Sequence, residues 1–435
     1  MAPVETPELL QTSLLLMDQE LYTLVGNRLQ IRRMQPQQSP PYEKEQRELK
    51  YYEAFAASLS SSVYLQSTDL RLRYLRADLF DAKRAAARMV DHHRLLFKYF
   101  DMFILHRPLM FKDLGDLEQD ALRQGVYQVL PSRDRAKRLI LYHHGAFRGK
   151  AITNLQRIRV THYFNQVLSE DVETQKNGLV FIFSTDASVL QDVNDPEYHQ
   201  DWKDTVGAHP LRWSAFHLCL PPGPTYQLLK AFLLLTVGTS QERVRAKVYP
   251  DLISLETQYK LMSFGIPIQE LPISCTGTVK LKNLHSWIQS RMAIDEARQQ
   301  GFDTSSLILH PGTRDVLFSK GGNARNQGNL EFHQLMEARI LTYNGTSSRK
   351  EKREIRDGII STVCSRSGRF LEMTQTGVYW VEILDMETLH SKVTSALNDF
   401  TRTMKARQNR QRSESDTHRF IEGKKRRKLE NACCM

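Results

Sequence analysis

The chain reads as an α/β protein: a helical N-terminal lobe, then a mixed, mostly parallel sheet, then a small α+β C-terminal domain. Three observations predict this. Residues 69–89 repeat apolar positions at three- and four-residue steps. From Gly125 the pattern changes to short runs rich in β-branched and aromatic residues, with helical segments between them. Beyond a break at Gly301–Gly312, helical stretches enclose two runs that read as a hairpin.

Each element follows in order. Residues 7–33 are predicted helical through Leu9, Leu10, Leu14, Leu15, Leu21 and Leu24, and Met34–Lys44 is a linker marked by Gln, Ser and the Pro40-Pro41 pair, so residues 1–44 form a first segment. Residues 45–115 form the helical lobe. Within it, Leu72, Leu75, Leu79, Ala82, Ala86 and Met89 lie on one helical face, and Asp81 is placed to cap the second of two helices. The pattern breaks at Pro108–Gly115. The α/β domain spans 116–300: strands in GVYQVL, RLILYHH, NGLVFIFSTD and RWSAFHLCL alternate with helices at Asn154–Leu168 and Thr225–Thr236, and a helix over Leu284–Gln299 closes it. The C-terminal domain spans 312–400, with a Gly/Asn-rich loop, two helices, the hairpin GRFLEM and GVYWVEI, and a last helix from about Met386. Residues 401–435 are a basic tail without an apolar stripe, expected to be disordered.

Composition narrows the class. At 435 residues with 41% hydrophobic and 25% charged content, the chain has enough apolar material for a core in each domain. The start MAPVETPELL lacks a basic n-region, and the longest apolar run, Leu228–Val237, is short and carries Lys230. A cytoplasmic or nuclear location is therefore expected, with no secretion signal and no transmembrane segment. Cys219, Cys275, Cys364, Cys433 and Cys434 show no metal-ligand or disulfide spacing. The Asn344-Gly345-Thr346 sequon reads as a polar turn. The net charge of +11 is uneven: residues 401–430 hold eleven Lys/Arg against four Asp/Glu, a balance of +7, leaving +4 for the rest. The globular body is thus not a broad nucleic-acid surface.

The segment DLRLRYLRADLFDAKRAAARM resembles the N-terminal helical lobe of the CRAL-TRIO family of lipid-transfer and lipid-sensing proteins. Downstream, Gly125–Asp134 followed by Arg138–Tyr142 is similar to the first hairpin of that family's pocket domain, and Gly178–Asp186 to its next core strand. Pro210-Leu211-Arg212, Phe216–Leu218 and Pro221-Pro222 are similar to its P-x-R segment and the strand after it. The resemblance spans about residues 45–290 and rests on the order of weak motifs. It implies a sheet with a lipid-type pocket lidded by a gate helix at Thr225–Val237. Leu141, Phe181, Phe183, Phe216, Leu218, Leu228, Leu229, Phe232 and Leu233 would line the pocket, and Arg133, Arg245 and Lys247 would meet a headgroup or membrane. Arg71, Arg73 and Arg76 would contact the pocket domain or anionic lipid. The chain departs from the pattern in two places. Leu211 stands where members that transfer phosphatidylinositol carry an acidic residue, and Phe264-Gly265-Ile266-Pro267 replaces a Tyr-Gly-Gly segment. The resemblance therefore does not extend to phosphoinositide selectivity.

Asp315–Gly322, Asn326–Asn329, Phe332, Arg369–Leu371 and Tyr379–Glu382 resemble a domain of unknown function recurrent in diatom proteins, over about residues 312–400. Gly328 is followed by Asn329-Leu330, not by the Lys-Ser/Thr that reaches phosphate and magnesium, so nucleotide hydrolysis is disfavoured. Arg349, Lys350, Lys352, Arg353 and Arg356 on one helix, with the hairpin, outline a helix-plus-wing nucleic-acid reader. However, residues 313–400 carry twelve Lys/Arg against eleven Asp/Glu, and a solvated charged face fits that balance better.

Lys424, Lys425, Arg426, Arg427 and Lys428 read either as a nuclear import signal or as a patch for anionic lipid. Cys433 and Cys434 beside them are candidates for acylation, whereas Ala432 excludes a prenylation box. The pairs His92-His93 and His143-His144 point apart, so neither chelates a metal alone, and no catalytic constellation is visible. The expected function is non-enzymatic binding or transfer of a lipid or other hydrophobic ligand, with transient membrane contact. The C-terminal domain would bind a protein or nucleic acid. No cofactor beyond a bound lipid and no metal is expected. The alternative is a nuclear regulatory or nucleic-acid-associated protein in which the lipid-type domain is a scaffold.

Overall fold

The structure is a computed structural model that describes residues 3–34, 42–145, 152–185, 196–224, 226–228, 230–231, 245–274, 276–304, 306–318, 326–374 and 379–406. The chain is mixed α/β and divides into two units, residues 1–304 and residues 305–435.

The first unit begins with α1 (Pro7–Met34), which buries Met17, Leu21 and Val25 at four-residue steps. Helices α2 (Tyr42–Ser61), α3 (Val63–Gln66), α4 (Thr68–Ala77) and α5 (Ala82–Phe100) complete the lobe, with α1 and α4 packed on α5. The expected cap is present: the Asp81 carboxylate accepts from the Arg84 backbone N–H at 3.0 Å. Leu79 and Phe80, at φ 55° and 67°, form the left-handed turn that allows α5 to restart there.

Helix α6 (Asp116–Arg123) leads into a five-stranded sheet in sequential order: β1 (Tyr127–Val129), β2 (Leu139–His144), β3 (Leu179–Ser184), β4 (Trp213–Leu220) and β5 (Ala246–Pro250). β1 runs antiparallel to β2, and β2 to β5 are parallel. Parallel neighbours need crossovers. α7 (Asn154–Ser169) and α8 (Val172–Asn177) join β2 to β3, and α9 (Pro196–Ala208) lies between β3 and β4. α10 (Leu255–Ser263) and α11 (Lys282–Gln299) follow.

One sheet face carries Ile140, Tyr142, Val180, Ile182 and Cys219 and is covered by Leu252, Leu261, Ile266, Leu271 and Ile273. On α11, the buried Arg291 pairs with Glu170 at 2.5 Å and Asp295 at 2.8 Å, and Arg298 meets Glu170 at 3.0 Å. Burial alone would raise the Glu170 carboxyl, but these two guanidinium groups hold it well below the usual carboxylate range. This network fixes α11 to the end of α7.

In the second unit the sheet order is β6 (Leu307–Ile308), β9 (Trp380–Glu382), β8 (Phe370–Met373), β7 (Val316–Phe318). β7 and β8 are parallel and the other pairs antiparallel. Helices α12 (Gln327–Gly345), α13 (Arg349–Ser365) and α14 (residues 386–406) pack Phe332, Met336, Ile340, Ile359, Val363, Leu389, Val393 and Leu397 against Val316 and Phe370.

Candidate functional site

The strand residues expected to line a pocket come together. Strand neighbours in register share a face, as do residues two apart along one strand. Leu141, Phe181 and Phe216 are in register, and so are His143, Phe183 and Leu218. All five predicted strand positions are therefore on one face, opposite the Ile140–Tyr142 core, and all five are buried. Phe181 lies 6.0 Å from Phe216 and 5.6 Å from Trp213 between ring centres. Toward β1, Tyr127 stacks on His143 at 4.3 Å and meets Phe164 of α7 at 5.4 Å. The Trp213 indole N–H donates to the Val206 carbonyl at 3.3 Å, linking β4 to α9.

Leu228, the first predicted gate residue, is 62% exposed. Leu229, Phe232 and Leu233 lie outside the described residues. On the covered side of the sheet, α10 turns Leu261 inward while Leu255, Tyr259 and Met262, at positions i, i+4 and i+7, face solvent. A cavity of about 840 Å³ is open between α2, the end of α5 and α7. Its walls carry Arg47, Lys50, Glu53, Lys98 and Asp101, a polar lining unsuited to an acyl chain.

The expected headgroup residues do not act as a set. The Arg133 side chain is only 2% exposed and pairs with Asp171 at 2.8 Å and Glu173 at 3.3 Å. It is an internal ion pair, which corrects its assignment as a membrane contact. Arg245 donates to the Trp213 carbonyl at 3.0 Å. Lys247 stands exposed on edge strand β5, where a lysine discourages further strand pairing. Arg73 and Arg76 reach α7 and α8 of the α/β part, Arg73 to Ser169 at 3.5 Å and Arg76 to Gln175 at 2.6 Å. Arg76 also pairs with Glu5, and Arg71 with Asp18.

In the second unit the motif residues build a buried polar knot. Asp315 accepts from the Gly312 N–H at 2.8 Å and from the Arg369 side chain at 2.7 Å and backbone at 3.1 Å. Asn329 bridges both backbone groups of Leu317, donating at 3.1 Å and accepting at 2.7 Å. A Cβ on Gly328 would lie 2.2 Å from the Asp315 carbonyl, so only glycine allows this approach. These residues hold the fold of the unit. Of the α13 basic residues, Arg349, Lys350 and Arg353 are exposed, whereas Arg356 donates to Thr394 at 2.7 Å. Gly321 and Gly322, Lys424 to Lys428, Cys433 and Cys434 lie outside the described residues.

Sequence reasoning missed one cluster. His92 of α5, His162 of α7 and His209 after α9 converge in the first unit, each buried. They are far apart in sequence and on three elements, so no spacing announces them. The one available signal was His92 itself, which sits on the buried face of α5.

The first unit is thus a helical lobe joined to a mixed α/β sheet with one aromatic-rich buried face. The second is a small α+β domain, and here the comparisons are specific: residues 315–399 match the model of a family described as a domain of unknown function (DUF6824). That match does not reach the α/β body. No curated protein matches the chain. Among solved structures, one titled "Crystal structure of Sfh5" is similar at 10% identity, covering 57% of this chain and 82% of that one, with a TM-score of 0.28. That likeness is too slight to define a fold. No helix among the described residues is long and apolar enough to cross a membrane.

Proposed function

We propose that the first unit binds a lipid or another hydrophobic ligand without catalysing a reaction, and that the second unit binds a macromolecular partner. The observation that carries the ligand reading is the gathering of Leu141, Phe181, Phe183, Phe216 and Leu218 on one sheet face, followed in the chain by the apolar stretch Leu228–Val237. An apolar sheet face and an apolar segment able to cover it are what a dry ligand cavity requires. The exposed Leu255, Tyr259 and Met262 of α10 support contact with a membrane surface during ligand exchange. Cys219 is not a reactive thiol, because burial pushes it far up.

The test is solvent extraction of the purified full chain followed by mass spectrometry, with uptake from lipid vesicles as a second measurement. Stoichiometric co-extracted lipid, or vesicle lipid retained by the protein after gel filtration, supports the reading. A folded chain that carries none and takes up none overturns it.

A further inference from the structure

We infer that His92, His162 and His209 form a binding site for a divalent transition-metal ion, with Zn²⁺ the best match, that joins the helical lobe to the α/β body of the first unit. One ring nitrogen from each residue lies within 4.8 Å of the others. The ring centres of His209 are 4.4 Å from His92 and 4.9 Å from His162. With Zn–N bonds of about 2.0–2.1 Å, tetrahedral ligand nitrogens sit about 3.3 Å apart, so the widest gap needs to close by about 1.5 Å. Rotation of the three rings would have to supply that closure.

The hydrogen bonding around the cluster points the same way. His92 Nδ1 meets the Tyr74 hydroxyl at 2.7 Å, and His162 Nε2 meets the Thr205 hydroxyl at 3.2 Å. The remaining nitrogens, His92 Nε2, His162 Nδ1 and both of His209, have no hydrogen-bond partner among the described residues. A neutral imidazole carries one donor and one acceptor, and leaving them unpaired in a site 0–2% exposed is unfavourable. A metal ion that takes a lone pair from each ring removes most of that penalty. The outer hydrogen bonds then do what they do around zinc histidines: they fix the tautomer and the ring plane.

A neighbouring cation, Arg88, is itself neutralised. Arg88 is paired through both ends with Asp78 at 2.6 and 2.9 Å, and its other nitrogen donates to the carbonyls of Gly207 and His209, which holds the His209 segment in place. The site is closed to solvent and supplies three ligands, so a water would complete a tetrahedral ion. Three neutral nitrogen donors select among Zn²⁺, Co²⁺, Ni²⁺ and Cu²⁺, and exclude Mg²⁺ and Ca²⁺, which need oxygen ligands.

The experiment uses the full chain, stripped with chelator and titrated with Co²⁺ and then Zn²⁺. One ion per chain is expected, with visible Co²⁺ bands of tetrahedral intensity that Zn²⁺ abolishes. His92→Ala, His162→Ala and His209→Leu lose the bands, while His333→Ala, on the surface of the second unit, keeps them. Because both His209 ring nitrogens lack partners, His209→Leu breaks no hydrogen bond and is the variant best able to fold; near-UV circular dichroism verifies this. Thr205→Val, which removes only the outer hydrogen bond, weakens Zn²⁺ affinity roughly 10- to 100-fold. A folded chain that binds no stoichiometric ion overturns the inference. So do Co²⁺ bands that persist unchanged in His209→Leu.

Discussion

The two units each contain a buried polar cluster, and the clusters differ in one respect. Around Asp315, every carboxylate and amide group named above has its partner: Gly312, Arg369 and Leu317 are held by Asp315 and Asn329 at 2.7–3.2 Å. Around His92, four ring nitrogens have none among the described residues. A satisfied cluster is an internal brace whose removal damages the fold. An unsatisfied one stores a penalty that a ligand relieves. The same residue chemistry, buried polar groups between elements, therefore leads to opposite expectations on mutation.

The largest effect is expected at the brace. Asp315→Ala removes the acceptor of the Gly312 and Arg369 backbone N–H groups and one partner of the Arg369 side chain, and should lower the stability of the second unit by about 3 kcal/mol, measured by urea denaturation. An unchanged midpoint would remove the distinction between the clusters. His217 stands between the two cases, with Nδ1 bonded to the Tyr249 hydroxyl at 3.0 Å and Nε2 without a partner among the described residues. Burial, aided by Arg138 and Lys247, lowers it from 6.5 to about 4. The unfolded chain therefore binds its proton near pH 6.5 and the folded chain only near 4. Its contribution is complete above pH 6.5 and is lost as pH falls from 6.5 to 4, by at most on the order of 3 kcal/mol. His217→Phe should flatten that part of the stability–pH profile; an identical profile in the variant would exclude the assignment.

Gly328→Ala forces the Asp315 carbonyl aside and should cost about 2 kcal/mol, visible as a lower thermal midpoint. The smallest change is expected at the unsatisfied cluster. In metal-free protein His209→Leu should be neutral or stabilising by about 1 kcal/mol, because it removes orphaned polar atoms. Zn²⁺ at about 100 times its dissociation constant should then stabilise the parent chain by about 2.7 kcal/mol and leave the variant unmoved. A large loss in metal-free His209→Leu would place the histidines with the braces.

Much of the architecture is legible in the chain. The Asp81 cap, the helices flanking it and strands β1 to β4 follow from local patterns, because β-branched runs and capping residues act over a few positions. The common face of Leu141, Phe181 and Phe216 was implied by the resemblance alone: it is set by strand register, which runs apolar on both faces do not disclose. Strands β5, β6 and β7 escaped notice because AKVYP is a partly exposed edge and the others have two and three residues. The burial of Arg133 is not legible in the sequence, because arginine is ordinarily at the surface and its partners Asp171 and Glu173 are 38 and 40 positions away. The histidine cluster was invisible because its three members meet only after α5, α7 and α9 have packed.

The parallel pairing of β7 with β8 has a consequence for synthesis. Val316 lies opposite Phe370, and Asp315 meets Arg369 across 54 positions. Neither contact can form until both intervening helices have been made, and Leu389, Val393 and Leu397 of the shared core come later still. An emerging chain must therefore hold β7 open while more than fifty residues leave the ribosome, and truncation before Phe370 would leave that strand as a bare edge available to other chains.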